Sequence, residues 1–451
     1  MSGIAELLVN LGYEVSGSDA KRSQATDRLA TLGVRVAVGH CADNIGDADV
    51  VVFSSAVRPD NPELSAARAR HITIIPRAEL LGELMRLRFG IAIAGAHGKT
   101  TTTSMIALVL ERAGLDPTAV IGGRLSALGG NARLGRGAYM VAEADESDRS
   151  FLKLFPAIAV MTNIDREHME AYGSFENLQE AFVEFANRVP FYGSIVVCAD
   201  DPELVALRPR FSRRVISYGL SGDANIAAAD VKLEGFGSQS TVTRRLASGE
   251  TRTLGTLRLQ VPGRHSVQNA LAAVTVALEL DVPFAQVASA LADFQGVERR
   301  FERRGPVDGV TVIDDYGHHP TEIAAVLAAV RAARPSRVIV AFQPHRYSRT
   351  RDLMREFGLA LAAADELVLT EIYGASEDPI PGVTVEALAA AINTSRAMPV
   401  RVVKVLDEVA PVIAGIARPG DVVITLGAGS IGGVAPRVIE ELKRRAREGR
   451  T

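Results

Sequence analysis

Gly95-Ala96-His97-Gly98-Lys99-Thr100-Thr101 follows the apolar run Ile91-Ala92-Ile93-Ala94 and precedes a helical pattern from Thr102 to Arg112. A strand, a glycine-rich turn and a helix start in that order make a phosphate cradle. Backbone N–H groups at a helix start point outward unpaired, the helix dipole favours an anion there, and glycine lets the main chain approach without a Cβ clash. Lys99 then reaches the outer phosphates of a nucleotide, and Thr100 offers its hydroxyl to Mg2+. The commoner pattern G-x-x-x-x-G-K-[ST] needs glycine where Ile93 stands, so this loop is a shorter variant.

Working outward, a phosphate-bound metal needs oxygen ligands at the carboxyl ends of neighbouring strands. Glu143-Ala144-Asp145-Glu146-Ser147-Asp148 ends the strand-like Tyr139-Met140-Val141-Ala142. Asn163-Ile164-Asp165-Arg166-Glu167-His168 ends the next, Ala157 to Met161, and adds an imidazole. From Ser217 to Pro262 the pattern turns β-rich with frequent glycines, which predicts an antiparallel addition to the sheet.

On either side, β-branched runs alternate with helical patterns. Before Arg88 the expected strands are Tyr13–Ser16, Val34–Ala37, Val50–Phe53 and Ile72–Ile75. Gly3 to Leu11 reads as a helix without the strand and phosphate turn that normally precede it. After Glu298 the alternation restarts at Val310–Ile313, Arg337–Phe342, Glu366–Thr370, Val400–Val403 and Asp421–Leu426. The junction Arg299 to Arg304 is a charge run of the kind that forms a solvated face.

Two strand ends in this last segment concentrate ionisable groups: Asp314-Asp315-Tyr316-Gly317-His318-His319 and Gln343-Pro344-His345-Arg346-Tyr347-Ser348-Arg349. Arg346 and Arg349 suit bidentate pairing with a carboxylate or phosphate. Leu426-Gly427-Ala428-Gly429-Ser430-Ile431-Gly432 fits a dinucleotide pattern, but no later strand supplies an acid for the ribose, so a close-packed strand-to-helix turn is the better reading.

At 451 residues the chain implies two or three domains. A net charge of −3 supplies no basic field for nucleic acid. The two cysteines do not form a disulfide framework, and no apolar stretch spans a bilayer, so a cytoplasmic protein without nucleic-acid or membrane partners is expected.

Taken together, GAHGKTTTT, EADESDRSF, DDYGHHPTE, QPHRYSRTRD and LGAGSIGG resemble the Mur ligases across nearly the whole chain. The resemblance implies an α/β protein of three domains: a Rossmann-like UDP-sugar domain at 1–88, a central P-loop ATP-binding domain at 89–297, and a doubly wound Rossmann-like domain at 298–451. It implies an ATP- and Mg2+-dependent amide ligase that joins L-alanine to UDP-N-acetylmuramate through an acyl phosphate, working as a monomer or homodimer. Within the cradle Gly95, Ala96, His97, Gly98, Lys99, Thr100 and Thr101 would hold phosphates. Thr100 and Glu143 would hold one Mg2+ and His168 a second. Asn269 would contact adenine, and Arg300 and Asp315 the nucleotide. Tyr316, His318, His345, Arg346 and Arg349 would surround the substrate carboxylate and the incoming alanine.

Three departures from the family bear on function. No lysine occurs between His168 and Arg188, where members that add larger amino acids carry a carbamylated one, which agrees with alanine addition. A tripeptide-adding member and a catalytically impaired nucleotide-binding form are the alternatives. Ser266 stands where the family pattern H-N-x-x-N has asparagine, predicting weaker nucleotide affinity. The family's opening strand and glycine turn are missing before Met1-Ser2-Gly3-Ile4-Ala5-Glu6, which predicts weak UDP-sugar binding or a start assigned downstream of the true one.

Overall fold

The computed structural model describes residues 1–54, 57–125 and 130–448. They form two compact units, one of residues up to 229 with 241–257 and 268–292, the other of 230–240, 258–267 and 293 onward.

The first unit opens on a helix, Ser2–Asn10. Four short strands follow: β1 (Ser16–Asp19), β2 (Arg35–Val38), β3 (Val50–Phe53) and β4 (Thr73–Pro76). β1 pairs with β2 and β3 with β4, both in parallel, as separate two-stranded sheets. The first strand lies later than the Tyr13–Ser16 expectation. Tyr13 is exposed, because Gly12 ends the helix with φ +91° and the chain must turn before it can pair.

The large sheet is built from β5 (Phe89–Ala94), β6 (Thr118–Leu125), β7 (Gly130–Arg133), β8 (Tyr139–Glu143), β9 (Ile158–Met161), β10 (Ser194–Cys198), β11 (Arg214–Gly219), β12 (Ile226–Glu234), β13 (Gly237–Arg245) and β14 (Thr251–Leu259). Their order is β14-β13-β12-β11-β10-β9-β5-β8-β6-β7. β5 is flanked by β8 and β9, all parallel, with Ile93 opposite Glu143 and Ala94 opposite Met161. The residues of β5 from Gly90 to Ala94 are buried, as a parallel strand covered on both faces requires. Each large aliphatic side chain so buried contributes roughly 1.5–3 kcal/mol. The glycine-punctuated region does extend this sheet. Its first strand, β12, however pairs with β11 in parallel through Tyr218–Ile226 and Gly219–Ala227, against the antiparallel expectation.

In the second unit β15 (Glu302–Val307), β16 (Val310–Asp315), β17 (Val338–Phe342), β18 (Glu366–Leu369), β19 (Val400–Val402) and β20 (Val422–Leu426) form a six-stranded sheet ordered β15-β16-β20-β17-β18-β19. Every pairing is parallel except β15 with β16. Alternation along β17 sorts the core. Val338, Val340 and Phe342 pack with Ile323, Leu327, Phe357 and Leu388 on one face, while Ile339 and Ala341 pack with Val409, Ile413, Val434 and Val438 on the other. Helices on both faces of a mostly parallel sheet define the doubly wound class. The charge run at 299–304 is only partly a solvated face. It enters edge strand β15, where Arg299 pairs with the buried Asp314 and Arg300 with the part-buried Glu322, while Arg303 stays exposed.

Candidate active site

The cradle sits where β5 ends between β8 and β9. Gly95 has φ +139°, and a Cβ there would lie 2.0 Å from Thr162 Oγ1. Gly98 has φ +82°, and a Cβ there would lie 2.6 Å from Asn269 Oδ1. Both positions thus require glycine twice over, by conformation and by space. Asn163 and Thr162 at the end of β9 brace the turn: Asn163 Oδ1 accepts from His97 N at 2.8 Å, and Thr162 Oγ1 donates to His97 O at 2.6 Å. The helix Lys99–Arg112 then starts with no side-chain cap among the described residues. Its first N–H groups are open to an anion.

Lys99 Nζ folds back over this turn, donating to Gly95 O at 2.6 Å, Ala96 O at 3.2 Å and Glu146 Oε1 at 2.9 Å. Burial works against its charge, but the carboxylates of Glu146 and Glu143 outweigh that and hold the ammonium above its ordinary range. Burial has the opposite sign for Glu146, pushing its carboxyl up to about 7 despite Lys99. Thr100 Oγ1 lies 3.0 and 3.1 Å from the two oxygens of Glu143, one of which also accepts from Gly122 N at 2.8 Å.

His168 begins the short helix Met169–Tyr172 with φ +57°. That conformation carries Nε2 to 4.0 Å from Glu146 Oε1 and 3.9 Å from Glu167 Oε2. One ligand atom from each of Glu146, Glu167 and His168 lies within 4.8 Å of the others. Glu146 Oε2 is buried with no hydrogen-bond partner among the described residues, an oxygen suited to a cation. The residues therefore fit divalent ions at Thr100–Glu143 and at Glu146–Glu167–His168.

The first unit thus brings together Gly95, Ala96, His97, Gly98, Lys99, Thr100, Thr101, Glu143 and His168, with Asn269 against Gly98. Sequence reasoning chose Glu143 from its acidic loop and passed over Glu146 and Glu167. The alternation of buried and exposed residues in that loop depends on a turn that composition does not reveal. His97, expected in the sequence as part of the phosphate cradle, also pairs through Nε2 with Asp165 Oδ2 at 2.8 Å. Ser266, the departure from the family pattern, turns inward and donates to Pro262 O at 2.6 Å.

The second unit has its own cluster at the carboxyl ends of β16, β17 and β20. Asp315 is buried, and its oxygens accept from Phe301 N and Gly317 N, each at 2.6 Å. Burial raises its carboxyl to about 6, with Arg300 opposing. Arg300 Nη1 lies 3.3 Å from Glu322 Oε1, and Arg299 Nε lies 3.2 Å from Asp314 Oδ2. Tyr316 sits between these arginines, its ring centre 5.1 Å from one guanidinium carbon and 5.0 Å from the other.

His318 and His345 meet edge to face with ring centres 5.6 Å apart, and His345 stacks on Tyr373. Arg349 Nη1 lies 3.3 Å from His345 Nδ1. Burial lowers the imidazoles to about 3 for His318 and about 4 for His345, so both are neutral at physiological pH. His318 Nδ1 lies 3.1 Å from Tyr316 O, which can only accept, so that nitrogen carries the proton. Arg349 can only donate, so His345 holds its proton on Nε2. Arg300, Asp315, Tyr316, His318, His345, Arg346 and Arg349 all belong to this cluster. Glu322, Gln343, Tyr373 and Glu377 were missed. For Glu322 the signal was its place three residues after His319, the first cap of the helix Pro320–Ala332.

An uncapped helix start under a lysine, with carboxylates on adjoining strand ends, defines a nucleotide-dependent transferase or ligase, and family comparison makes the class definite. Residues 1–89 match the Mur ligase family, catalytic domain; residues 93–277 the Mur ligase middle domain; and residues 299–429 the Mur ligase, glutamate ligase domain. The chain belongs to the Mur ligase family. Within it, the chain is 53% identical over 454 residues to the UDP-N-acetylmuramate--L-alanine ligase of Paraburkholderia phytofirmans, covering 98% of this chain and 96% of that protein. It is 54% identical over 454 residues to the enzyme of the same name from Burkholderia ambifaria, covering 99% and 96%. Among solved structures, UDP-N-acetylmuramate-alanine ligase MurC from Thermotoga maritima superposes with a TM-score of 0.83 at 30% identity, covering 100% of this chain and 97% of that one.

Proposed function

We propose that the chain is an ATP-dependent ligase that joins L-alanine to the muramyl carboxylate of UDP-N-acetylmuramate in peptidoglycan precursor synthesis. The observation that carries this reading is Lys99, held over an uncapped helix start between the ends of β8 and β9, in a chain 53% identical to ligases of that name. A muramyl carboxylate oxygen attacks the γ-phosphorus of ATP, the bond to the β-bridging oxygen breaks, and ADP leaves. The alanine amine then attacks the carbonyl carbon, the carbon–oxygen bond to phosphate breaks, and a proton leaves the nitrogen. The enzyme supplies no nucleophile, so its contribution is positioning and neutralisation of charge.

Lys99 and the N–H groups after Gly98 hold the phosphates, and Asn269 contacts the adenine end. Mg2+, where bound, neutralises phosphoryl oxygens as charge shifts; Thr100 and Glu143 would hold one ion, and His168 with Glu146 a second. Residues 1–88 take the UDP-sugar, 89–297 ATP, and 298–451 the amino acid, with Arg346 and Arg349 matching its carboxylate and Arg300 and Asp315 the nucleotide. Among the described residues no helix is long and apolar enough to cross a membrane; the cytoplasm is the site of action that goes with the proposed reaction.

Purified protein with ATP, Mg2+, UDP-N-acetylmuramate and a panel of amino acids tests the reading. The expected product has the mass of the alanyl conjugate with release of phosphate. A product formed only with an intact tripeptide would overturn it.

A further inference from the structure

We propose that Glu377, which lies outside the strand-end motifs, is a positioning residue that sets the two arginines of the second unit for the carboxylate of the incoming amino acid. The inference rests on the function proposed above and adds a residue to it.

The segment carrying His345, Arg346 and Arg349 is not held in place by β17 alone. It is zipped to the loop after β18. Tyr373 N donates to Pro344 O at 2.8 Å and Arg346 N donates to Tyr373 O at 2.8 Å, with His345 and Tyr373 bridged in parallel. Glu377 closes the other end. Its carboxylate accepts from Ser348 N at 2.9 Å and from Ser348 Oγ at 2.6 Å, and it lies 3.9 Å from Arg346 Nη1.

The loop is bent to deliver this carboxylate. Ala375 and Ser376 are consecutive non-glycine residues at φ +49° and +74°, and Glu377 N returns to Gly374 O at 2.9 Å. Arg346 itself stands at φ +72°, so the main chain turns sharply where the guanidinium must be aimed. At Gly374 a Cβ would lie 3.2 Å from the Tyr347 ring and 2.8 Å from Glu377 O, so only glycine lets the loop fold back on itself beside that ring. Despite the cost of burial, Ser348 and then Arg346 hold the Glu377 carboxyl below its ordinary range, consistent with a permanent anion that orients a cation.

The consequence is that Glu377 controls how the amino acid is held and leaves the acyl phosphate step alone. Losing a charge-assisted contact of this kind weakens binding on the order of ten-fold. Steady-state kinetics on full-length Glu377→Ala, Glu377→Gln and Ser348→Ala should show a ten-fold higher KM for alanine in the first. The KM for ATP and kcat at saturating alanine should stay within two-fold of the parent. Glu377→Gln keeps an acceptor for Ser348 without the charge and should fall between the parent and Glu377→Ala. Ser348→Ala removes the same staple from its other side, so combining it with Glu377→Ala should add little. An unchanged alanine KM in Glu377→Ala overturns the proposal, as does full additivity of the pair or a loss shared equally by kcat and both KM values. A parent protein that makes no alanyl product would instead sink the functional reading on which it rests.

Discussion

Two glycine turns in this molecule look alike in sequence and do opposite things. At Gly95–Gly98 the strand β5 hands over to a helix whose first N–H groups have no side-chain cap among the described residues, and a lysine lies across them. At Gly427–Gly433 the strand β20 hands over to a similar turn that protein side chains already fill. Gln343 Oε1 accepts from Ile431 N at 3.0 Å, and Arg299 Nη2 donates to Gly427 O at 2.6 Å. A Cβ at Gly429 would lie 2.6 Å from Gln343 Oε1, and one at Gly432 2.3 Å from the Arg299 guanidinium. Glycine spacing therefore marks close backbone approach, and what approaches decides whether the turn binds an anion or packs the core.

The contrast breaks most severely if Lys99 proves dispensable. Lys99→Ala should lower turnover by a factor on the order of 10² or more, read as phosphate release by folded protein. Near-normal release would leave the two turns functionally alike. At the packed turn, Gly427 has φ +142° and a Cβ would lie 2.7 Å from Gln343 O, a backbone atom. Gly427→Ala should cost about 1–3 kcal/mol in urea unfolding while nucleotide affinity is unchanged. Loss of nucleotide binding without loss of stability would place a ligand at the wrong turn.

Glu143→Gln sharpens the open turn further. It should raise the Mg2+ concentration for half-maximal activity by about ten-fold, since a neutral amide is a poorer ligand for a hard cation. An unaltered Mg2+ titration would remove Glu143 from the metal site.

A further effect concerns acid stability in the second unit. Burial first, and then the Arg349 charge against the pull of Glu322, lowers the His318 imidazole to about 3. A base depressed in the folded state adds its full stability above its unfolded value near 6.5, and that stability is lost as pH falls toward 3. His318→Gln should therefore flatten the decline in unfolding free energy between pH 6.5 and 4. An unchanged slope would mean that the imidazole is not buried as neutral base.

Much of this was legible because parallel strands buried on both faces must be apolar throughout. Phe89–Ala94, Tyr139–Glu143 and Val338–Phe342 appear in the sequence nearly as they stand in the sheets. Lys99, Thr100 and Glu143 were legible for the same reason, being tied to strand ends. Tyr13 was misplaced because a β-branched run beside a glycine says nothing about where a turn finishes. Arg299 and Arg300 were misread as solvated because their partners, Asp314 and Glu322, lie on other elements. Glu377 was invisible in a loop whose left-handed residues are neither glycine nor asparagine.

The sequence by itself determined the alternating α/β class, the cradle and the family, because these follow from local periodicity, turn chemistry and motif order along the chain. Only the tertiary structure decided which carboxylate faces Lys99, which imidazole nitrogen bears a proton, and that one glycine turn is open while the other is filled. Those outcomes depend on burial and on hydrogen bonds between residues far apart in the chain, whose energies no local pattern encodes.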